Sequence, residues 1–314
     1  MSALLQPAPA RIPVRQPCPD PLARAPRAPG GEAACLYPAP PALQGAMVAV
    51  AFRDTRALAL SDAQCLSHFP ASPLVCLSWY QGIEPGLVER REGRTGWHPF
   101  GTSVTLSGSQ SRPIVSWAPT TGRGGIACFT PDAARLLFGI DPSAVQDRFV
   151  CARALLGPAW QGWLDALSAT PDDAAALALL ERGLGPRWRA QRGGSAATVL
   201  RQAGRHWVER LAWQARQWRL THGARQVERR VKAYSGRSLR EWQAIVRTEE
   251  LFFSARDRLD AGQPFEWADM AAEAGFADQA HLSRATKRIT GFAPAEFTRR
   301  YLEDESFWIY RLWV

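Results

Sequence analysis

Hydrophobic and polar positions follow one rhythm in the first half of the chain and another in the second. Between Leu43 and Phe129, short apolar or alternating runs such as GAMVAVAFRD and SPLVCLSWYQG are separated by Pro, Gly, Asp and Ser. This punctuation is typical of strands joined by turns. Helical spacing begins after Thr130, a predicted N-cap, and continues from Gly157 to Ala190. Strands followed by helices predict an α+β N-terminal domain.

A helix, a tight turn and a second helix are predicted near the end of the chain. Trp267, Met270 and Ala271 recur at helical spacing within FEWADMAAEA. Gly275 ends this helix, because glycine adopts a left-handed backbone at little cost. Asp278 follows as the predicted N-cap of the second helix.

The second helix has two distinct faces. Leu282, Ala285 and Ile289 form an apolar stripe. Small, polar or cationic side chains occupy the positions beside it: Gln279, Ala280, Ser283, Arg284, Lys287 and Arg288. This is the layout of a helix-turn-helix, whose second helix enters the major groove of DNA. The alternative is an ordinary solvated surface helix, which periodicity alone does not exclude.

The same pattern occurs once more in the chain, at an offset of 55 residues. The segment GARQVERRVKAYSGRSLREW, from Gly223 to Trp242, aligns with Asp278–Phe297. The alignment pairs Arg229 with Arg284, Lys232 with Lys287, Gly236 with Gly291, Val227 with Leu282, and Trp242 with Phe297. A repeat is normally one supersecondary unit used twice. Two reading helices predict two successive major-groove contacts, about 34 Å apart on one face of DNA.

Composition and charge support an acidic partner without identifying it. The 314 residues carry a net charge of +9, and the sequence pI is about 9.8. Nucleic acid is the commonest partner of such a chain. Nearly all of the 38 basic residues are arginines, however, so a compositional bias towards arginine explains part of the charge. The only lysines in the chain are Lys232 and Lys287, which the repeat aligns.

The segment GFADQAHLSRATKRITGFAPAEF closely resembles the second helix-turn-helix of the AraC/XylS family of bacterial transcription regulators. RQVERRVKAYSGRSLREW resembles the first, and Ile245–Leu259 resembles the connecting helix. The resemblance implies an all-α C-terminal domain with two helix-turn-helix units. Thr286 and Val231 stand where the family usually has an aromatic, and the turn before the first reading helix lacks the Gly275-Phe276 pair. The first unit is therefore expected to dock less firmly.

The resemblance also implies which side chains contact DNA. Base-reading positions on the first helix are Arg225, Glu228 and Arg229, and those on the second are Gln279, Ala280, Ser283 and Arg284. Lys232, Lys287 and Arg288 complete the predicted DNA-binding set as phosphate contacts. Arginine suits guanine, because its planar fork matches O6 and N7. Glu228 either accepts from a cytosine amino group or pairs with Arg225 or Lys232 at helical spacing.

The N-terminal domain resembles the sensory domains of AraC-type regulators, which are small β-barrels with attached helices. The segment GSQSRP, from Gly108 to Pro113, carries the resemblance to one subgroup. Aromatic residues of this domain either line an apolar ligand pocket or form the core: Trp79, Tyr80, Trp97, Phe100 and Trp117. His68 and His98 stand apart, so each is interpreted as a structural residue rather than a metal ligand.

Several functional classes find no support in the sequence. There is no apolar stretch long enough for a membrane span or a secretory signal, so we expect a cytoplasmic protein. The six cysteines are scattered without a zinc-type spacing, and no P-loop, HExxH, GxSxG or dinucleotide motif occurs. We therefore expect no enzyme activity, no cofactor and no metal. The alternative is a DNA-binding unit fused to an enzyme, as in alkylation-repair regulators, whose cysteine cluster is missing here.

The expected organisation has five parts. Residues 1–40 form a disordered Pro/Ala-rich tail, 41–190 a sensory domain, 191–197 a linker, 198–303 the DNA-binding domain, and 304–314 a C-terminal tail. Double-stranded DNA is the predicted partner. A small-molecule effector, RNA polymerase and a second copy of the chain are left open as further partners, and no membrane association is expected.

Overall fold

The computed structural model describes residues 18–28, 33–91, 94–191, 203–263, 266–276 and 278–313. Residues 1–17 of the predicted disordered tail and residues 192–197 of the predicted linker lie outside the described part of the chain. Within it, no helix is both long and apolar enough to cross a membrane.

Antiparallel strands dominate the first half of the described chain. They are β1 (Ala34–Pro38), β2 (Met47–Asp54), β3 (Leu66–Phe69), β4 (Val75–Gln81), β5 (Gly86–Arg91), β6 (Arg94–Pro99), β7 (Val104–Ser107), β8 (Ile114–Trp117), β9 (Arg123–Phe129) and β10 (Phe149–Cys151). A six-stranded sheet has the order β1-β2-β9-β4-β7-β10, and a four-stranded sheet has the order β3-β8-β5-β6. The predicted strand-rich domain is present, but as two sheets rather than a closed barrel.

Helices cover one face of the larger sheet. They are α1 (Pro131–Phe138), α2 (Ala152–Leu156), α3 (Pro158–Ser168) and α4 (Asp173–Gln191). Trp79 and Phe129 of the sheet share one apolar core with Leu164 and Leu180 of the helices. Thr130 occupies the N-cap position of α1 as predicted, but its hydroxyl makes no capping hydrogen bond. Pro131, which suits the first helical position, begins the helix instead.

The second half of the chain is helical, in agreement with the all-α prediction. Its helices are α5 (Ala203–Arg219), α6 (Ala224–Ser235), α7 (Leu239–Asp260), α8 (Trp267–Glu273), α9 (Gln279–Thr290), α10 (Pro294–Glu303) and α11 (Trp308–Trp313), with a 3-10 turn at Glu305–Phe307. The predicted connecting helix lies within α7. The predicted helix-turn-helix pairs are α5 with α6 and α8 with α9.

The prediction of a C-terminal tail from residue 304 is wrong. Phe307 is fully buried, and α11 packs against β1 and β3. The Trp308 indole N–H donates to Ser67 Oγ at 2.9 Å, and Arg53 pairs with Glu305 at 2.9 Å. The run of large apolar residues Phe307–Tyr310 is the physical reason, because packing against the sheet removes these side chains from water.

The prediction of disorder up to residue 40 is also wrong for the described residues 18–28 and 33–40. Ala34–Pro38 pairs with β2 as an edge strand. The Arg300 guanidinium donates to the carbonyls of Leu22 and Ala23 at 2.8 and 3.2 Å. Arg24 pairs with Asp304 at 2.9 Å. Backbone hydrogen bonds and ion pairs order this segment, so its lack of large apolar side chains misled the prediction.

His68 on β3 lies at the junction between the two halves of the chain. Its ring centroid is 4.9 Å from that of Phe307 and 5.4 Å from that of Phe292. Its Nε2 is buried and has no hydrogen-bond partner among the described residues. Burial, and secondarily the charge of Arg300, lower the pKa of His68 to about 3.

The low pKa of His68 predicts a loss of stability in acid. An unfolded histidine binds a proton below a pKa of about 6.5, whereas the folded His68 does not. The unfolded state is therefore favoured as the pH falls from about 6.5 towards 3, by about 2 kcal/mol at about pH 5. We expect His68→Phe to reduce this dependence in urea unfolding. His98→Gln, at an exposed histidine, is the control, and equal pH profiles for the two variants would contradict the assignment.

Candidate nucleic-acid interface

The two predicted reading helices are structurally equivalent. Helix α6 spans Ala224–Ser235 and α9 spans Gln279–Thr290, so both have 12 residues and both begin and end at aligned positions. Each stops at a left-handed glycine, Gly236 with φ 82° and Gly291 with φ 89°. These are positions where a side chain would strain the backbone. The repeat seen in the sequence is therefore a repeat of structure.

The last hydroxyl of each reading helix makes the same contacts. Ser235 Oγ lies 2.7 Å from the Val231 carbonyl and 3.0 Å from the Arg237 carbonyl. Thr290 Oγ1 lies 2.9 Å from the Thr286 carbonyl and 3.2 Å from the Phe292 carbonyl. Each hydroxyl has one proton to donate, and the two carbonyls within its reach are one in the last turn of the helix and one just beyond the left-handed glycine. The pairing of Ser235 with Thr290 in the sequence alignment reflects this shared role.

The inner face of each reading helix is buried. Val227 and Val231 are covered in the first unit, and Leu282 and Thr286 in the second. Trp242 and Phe297, which follow the two helices, are also buried, and the Trp242 indole donates to Ser235 Oγ at 3.0 Å. Val231 and Thr286 replace the expected aromatic, yet both helices remain packed in place.

The predicted DNA-contacting side chains lie on the outer face. Nine are exposed, namely Arg225, Glu228, Arg229, Lys232, Gln279, Ala280, Arg284, Lys287 and Arg288, and Ser283 is half-buried. The exposed side chains are therefore accessible to the major groove of a DNA duplex. Lys232 and Glu228 pair at 3.0 Å, which resolves the open choice for Glu228 in the protein alone. The Glu228 hydrogen bond raises the pKa of Lys232.

The N-termini of the two reading helices differ. Asp278 caps α9 as predicted, and its Oδ1 accepts from the His281 backbone N–H at 2.5 Å. Gly223 occupies the equivalent position of α6 and offers no side-chain cap. A helix N-terminus carries partial positive charge, which a carboxylate cap offsets. In α6 the Gln226 backbone N–H donates to the Gly223 carbonyl at 3.0 Å instead of to a side chain, so no carboxylate offsets the partial positive charge of this N-terminus.

Helix α7 joins the two units. Its 22 residues correspond to a length of about 33 Å at 1.5 Å per residue. This length is close to one turn of B-DNA, about 34 Å. A single rigid helix is therefore long enough to link units that occupy successive turns of one groove.

The two tryptophans of α5 that were expected to pack behave differently. Trp218 packs edge-on against Tyr234, with ring centroids 6.4 Å apart. Trp213 is 59% exposed, so the expectation that it packs is wrong. It occupies the outer face of an amphipathic helix whose inner positions are already filled by Trp207 and Leu211.

A cavity of about 160 Å³ lies between the larger sheet and the DNA-binding helices. Tyr80 and Phe100, two of the five aromatics considered for a pocket, line it. Trp79 and Trp117 belong to the core instead. Side chains of α7, α9 and α11 complete the wall, including Ile245, Phe252, Ile289 and Tyr310. The cavity therefore contacts both halves of the chain.

The cavity wall is apolar with few polar groups. No lysine, arginine or histidine is among its described lining residues, and Glu249 is its one ionisable carboxylate there. Tyr310 is 2% exposed, and its hydroxyl has no hydrogen-bond partner within the described chain. Burial raises the pKa of Tyr310, so the hydroxyl stays protonated and able to donate. No role was predicted for Tyr310, because its segment was expected to be a tail.

A comparison with known families identifies the helical domain. Residues 219–300 match a family described as a helix-turn-helix domain. The matched segment extends from the end of α5 to α10 and includes both reading helices. The match agrees with the resemblance of this segment to the AraC-type helix-turn-helix.

Solved structures of ToxT from Vibrio cholerae are similar to the chain at low identity. One is 13% identical, with 74% of this chain and 95% of that chain covered and a TM-score of 0.33. A ToxT structure with a bound unsaturated fatty acid is 12% identical, with coverages of 74% and 93% and a TM-score of 0.33. A third, bound to (E)-4-(8-methylnaphthalen-1-yl)but-3-enoic acid, is 10% identical, with coverages of 84% and 97% and a TM-score of 0.34. No curated protein matches the sequence.

Arg284 is expected to read a base, and Lys287 to contact phosphate. Arg284→Ala should weaken binding to the preferred sequence by about 1–3 kcal/mol and have a smaller effect on random duplex. Lys287→Ala should weaken both and reduce the salt slope by about 1. Fluorescence anisotropy at several salt concentrations measures both quantities. Arg216→Ala, at an exposed arginine on α5, is the matched control, and equal losses on both duplexes for Arg284→Ala would refute base reading.

Proposed function

We propose that this protein is a transcription regulator that reads two adjacent major-groove segments, one with α6 and one with α9. The observation that carries the proposal is the structural equivalence of these helices. They share their bounds, their left-handed glycine end, their buried inner face and a cationic outer face. A chance surface helix would not repeat all four properties in register.

Binding would divide into a general and a specific part. Lys232, Lys287 and Arg288 neutralise phosphates and release the counterions bound to DNA. The free energy gained from this release falls as the salt concentration rises, so the attraction weakens with salt. Arg229 and Arg284 occupy aligned, exposed positions from which a guanidinium matches the O6 and N7 atoms of guanine. Glu228 holds Lys232, so in the first unit it orients a cation as well as facing the groove.

We further propose that a small molecule in the cavity controls this binding. The cavity wall includes strands of the N-terminal domain and residues of α7 and α9. A molecule that fits one arrangement of these elements better than another shifts the protein towards that arrangement. Because α7 links the two reading units, such a shift would reach the DNA-binding surface.

The wall chemistry favours a compact, uncharged molecule. The volume of about 160 Å³ is close to that of an engineered apolar cavity, about 150 Å³, that binds benzene. No described lining residue supplies a cation for an anionic ligand. The Tyr310 hydroxyl supplies a hydrogen-bond donor. A single-ring aromatic with one acceptor group satisfies all three conditions.

The alternative of a fused enzyme domain gains no support. Within the described residues, no three His, Cys, Asp or Glu side chains converge on a common point. All six cysteines are free and lie apart from the DNA-binding surface. Contacts with RNA polymerase and self-association, both left open by the sequence, are not argued for by any surface described above.

Selection of bound sequences from a randomised duplex pool tests the DNA-binding proposal. The full chain should enrich two short elements about one helical turn apart. Arg229→Ala should abolish the preference within one element and leave the other intact. Enrichment of a single element would restrict reading to one unit, and salt-sensitive binding with no enrichment would refute sequence-specific reading. Arg216→Ala should retain both elements.

Thermal unfolding with matched probes tests the ligand proposal independently of DNA. Acetophenone, which is neutral and carries an acceptor, should stabilise the protein by about 2.7 kcal/mol at 100 times its dissociation constant. Benzoate, of similar size but anionic, should not. Tyr310→Phe should weaken acetophenone binding by about tenfold, the cost of one lost hydrogen bond. Equal stabilisation by both probes, or none by either, would contradict the proposed ligand class.

A further inference from the structure

Two cysteines lie opposite each other on neighbouring strands of the larger sheet. Cys76 on β4 and Cys128 on β9 are direct partners in the antiparallel register. Their sulfur atoms are 3.5 Å apart and within hydrogen-bond distance. Both residues line the cavity described above. Among the described residues, no other pair of thiols makes such a contact, and the spacing of the cysteines in the sequence does not indicate this one.

The backbone geometry suits a covalent bond between them. Directly opposed residues of an antiparallel pair have Cα atoms about 4.5–5.5 Å apart. Disulfides span Cα separations of about 4.4–6.8 Å. The two sulfurs need only approach each other by small side-chain rotations, since the strands already hold the residues in register. Neighbouring strands do not have to move apart or slide.

The two thiols differ in exposure. Cys76 is half-buried, whereas Cys128 is buried. The hydrogen bond to Cys76, together with burial, raises the pKa of Cys128, so this thiol remains protonated. A small oxidant that enters the cavity therefore meets Cys76 as the more accessible sulfur, with Cys128 beside it as the second thiol.

We propose that Cys76 and Cys128 form a reversible dithiol–disulfide pair that hydrogen peroxide oxidises from within the cavity. In the first step the Cys76 thiolate attacks one peroxide oxygen, the O–O bond breaks, and hydroxide leaves, so that Cys76 becomes a sulfenic acid. In the second step the Cys128 sulfur attacks the Cys76 sulfur, and the S–O bond breaks. The sulfenic oxygen leaves as water with the proton of the Cys128 thiol. The dithiol loses two electrons in total, and peroxide gains them.

The disulfide would alter the wall of the cavity as well as join two strands. Both sulfurs would turn from the cavity surface towards each other, and β4 and β9 would be cross-linked at its centre. The link closes a chain segment between residues 76 and 128, which restricts the unfolded state and stabilises the fold. Oxidation is therefore a modification that acts at the same place as the proposed ligand, although it does not depend on a ligand being bound.

Non-reducing peptide mapping of the full chain tests the proposal. Native protein is treated with hydrogen peroxide, its remaining thiols are alkylated, and its peptides are analysed by mass spectrometry. We expect a peptide pair linked through Cys76 and Cys128, two hydrogens lighter than the reduced pair, which dithiothreitol separates again. Oxidation in denaturant should instead scatter links among the six cysteines. The absence of the native link, or equal scatter under both conditions, would overturn the proposal.

Matched variants and unfolding give a second measure. Cys35→Ser removes an exposed thiol and should retain the link, and Cys128→Ala should abolish it and leave Cys76 to be oxidised beyond recovery by dithiothreitol. Oxidised wild-type protein should unfold at a higher temperature than reduced protein. A lower unfolding temperature would show that the native sheet does not accommodate the bond. Circular dichroism of Cys128→Ala confirms that the variant is folded before it is compared.

Discussion

The arrangement of the two halves of the chain depends on a buried ion pair at the end of α10. Asp304 is fully buried, and Arg300 is 5% exposed. Arg300 lies 3.2 Å from Asp304 and also pairs with Glu296, while Arg24 reaches Asp304 from the N-terminal segment. A buried charge is tolerated only when partners replace its water, and removal of one partner typically costs about 3–5 kcal/mol. The network therefore holds the segment around Leu22–Arg24 against the C-terminal end of α10.

This network fixes where the last residues go. The chain turns directly after Asp304, so that Phe307 and Trp308 reach the sheet and Tyr310 reaches the cavity. Ala71 N–H also donates to the Ile289 carbonyl of α9 at 2.8 Å, which holds a reading helix against the N-terminal domain. The helix-turn-helix units are thus attached to the N-terminal domain, and Tyr310, which follows the network in the chain, lines the cavity between them.

Local signals in the sequence were sufficient to predict the helices of the C-terminal domain. They were insufficient to predict how this domain packs against the N-terminal domain. Gly275, Asp278 and the apolar stripe of α9 predicted helix ends and faces correctly, because they act within a few residues of their own position. The roles of Arg300 and Tyr310 depend on residues more than two hundred positions away, such as Leu22 and Cys76, and no periodicity reports such contacts. The two-sheet arrangement was missed for the same reason, since strand pairing is also non-local. Whether the predicted DNA-contacting residues touch DNA remains a prediction.

Helix α7 both lines the cavity and joins the two helix-turn-helix units. Ile245, Glu249 and Phe252 lie three and four residues apart on it, so one stripe of the helix forms part of the cavity wall while its two ends carry the reading units. A change in the filling of the cavity would move α7 relative to α9, whose Ile289 also lines the wall. Such a movement leaves the outer side chains of α6 and α9 unchanged and alters the distance and phase between the two units. The regulated property would then be the spacing of the two DNA elements that the protein accepts, rather than the bases within them.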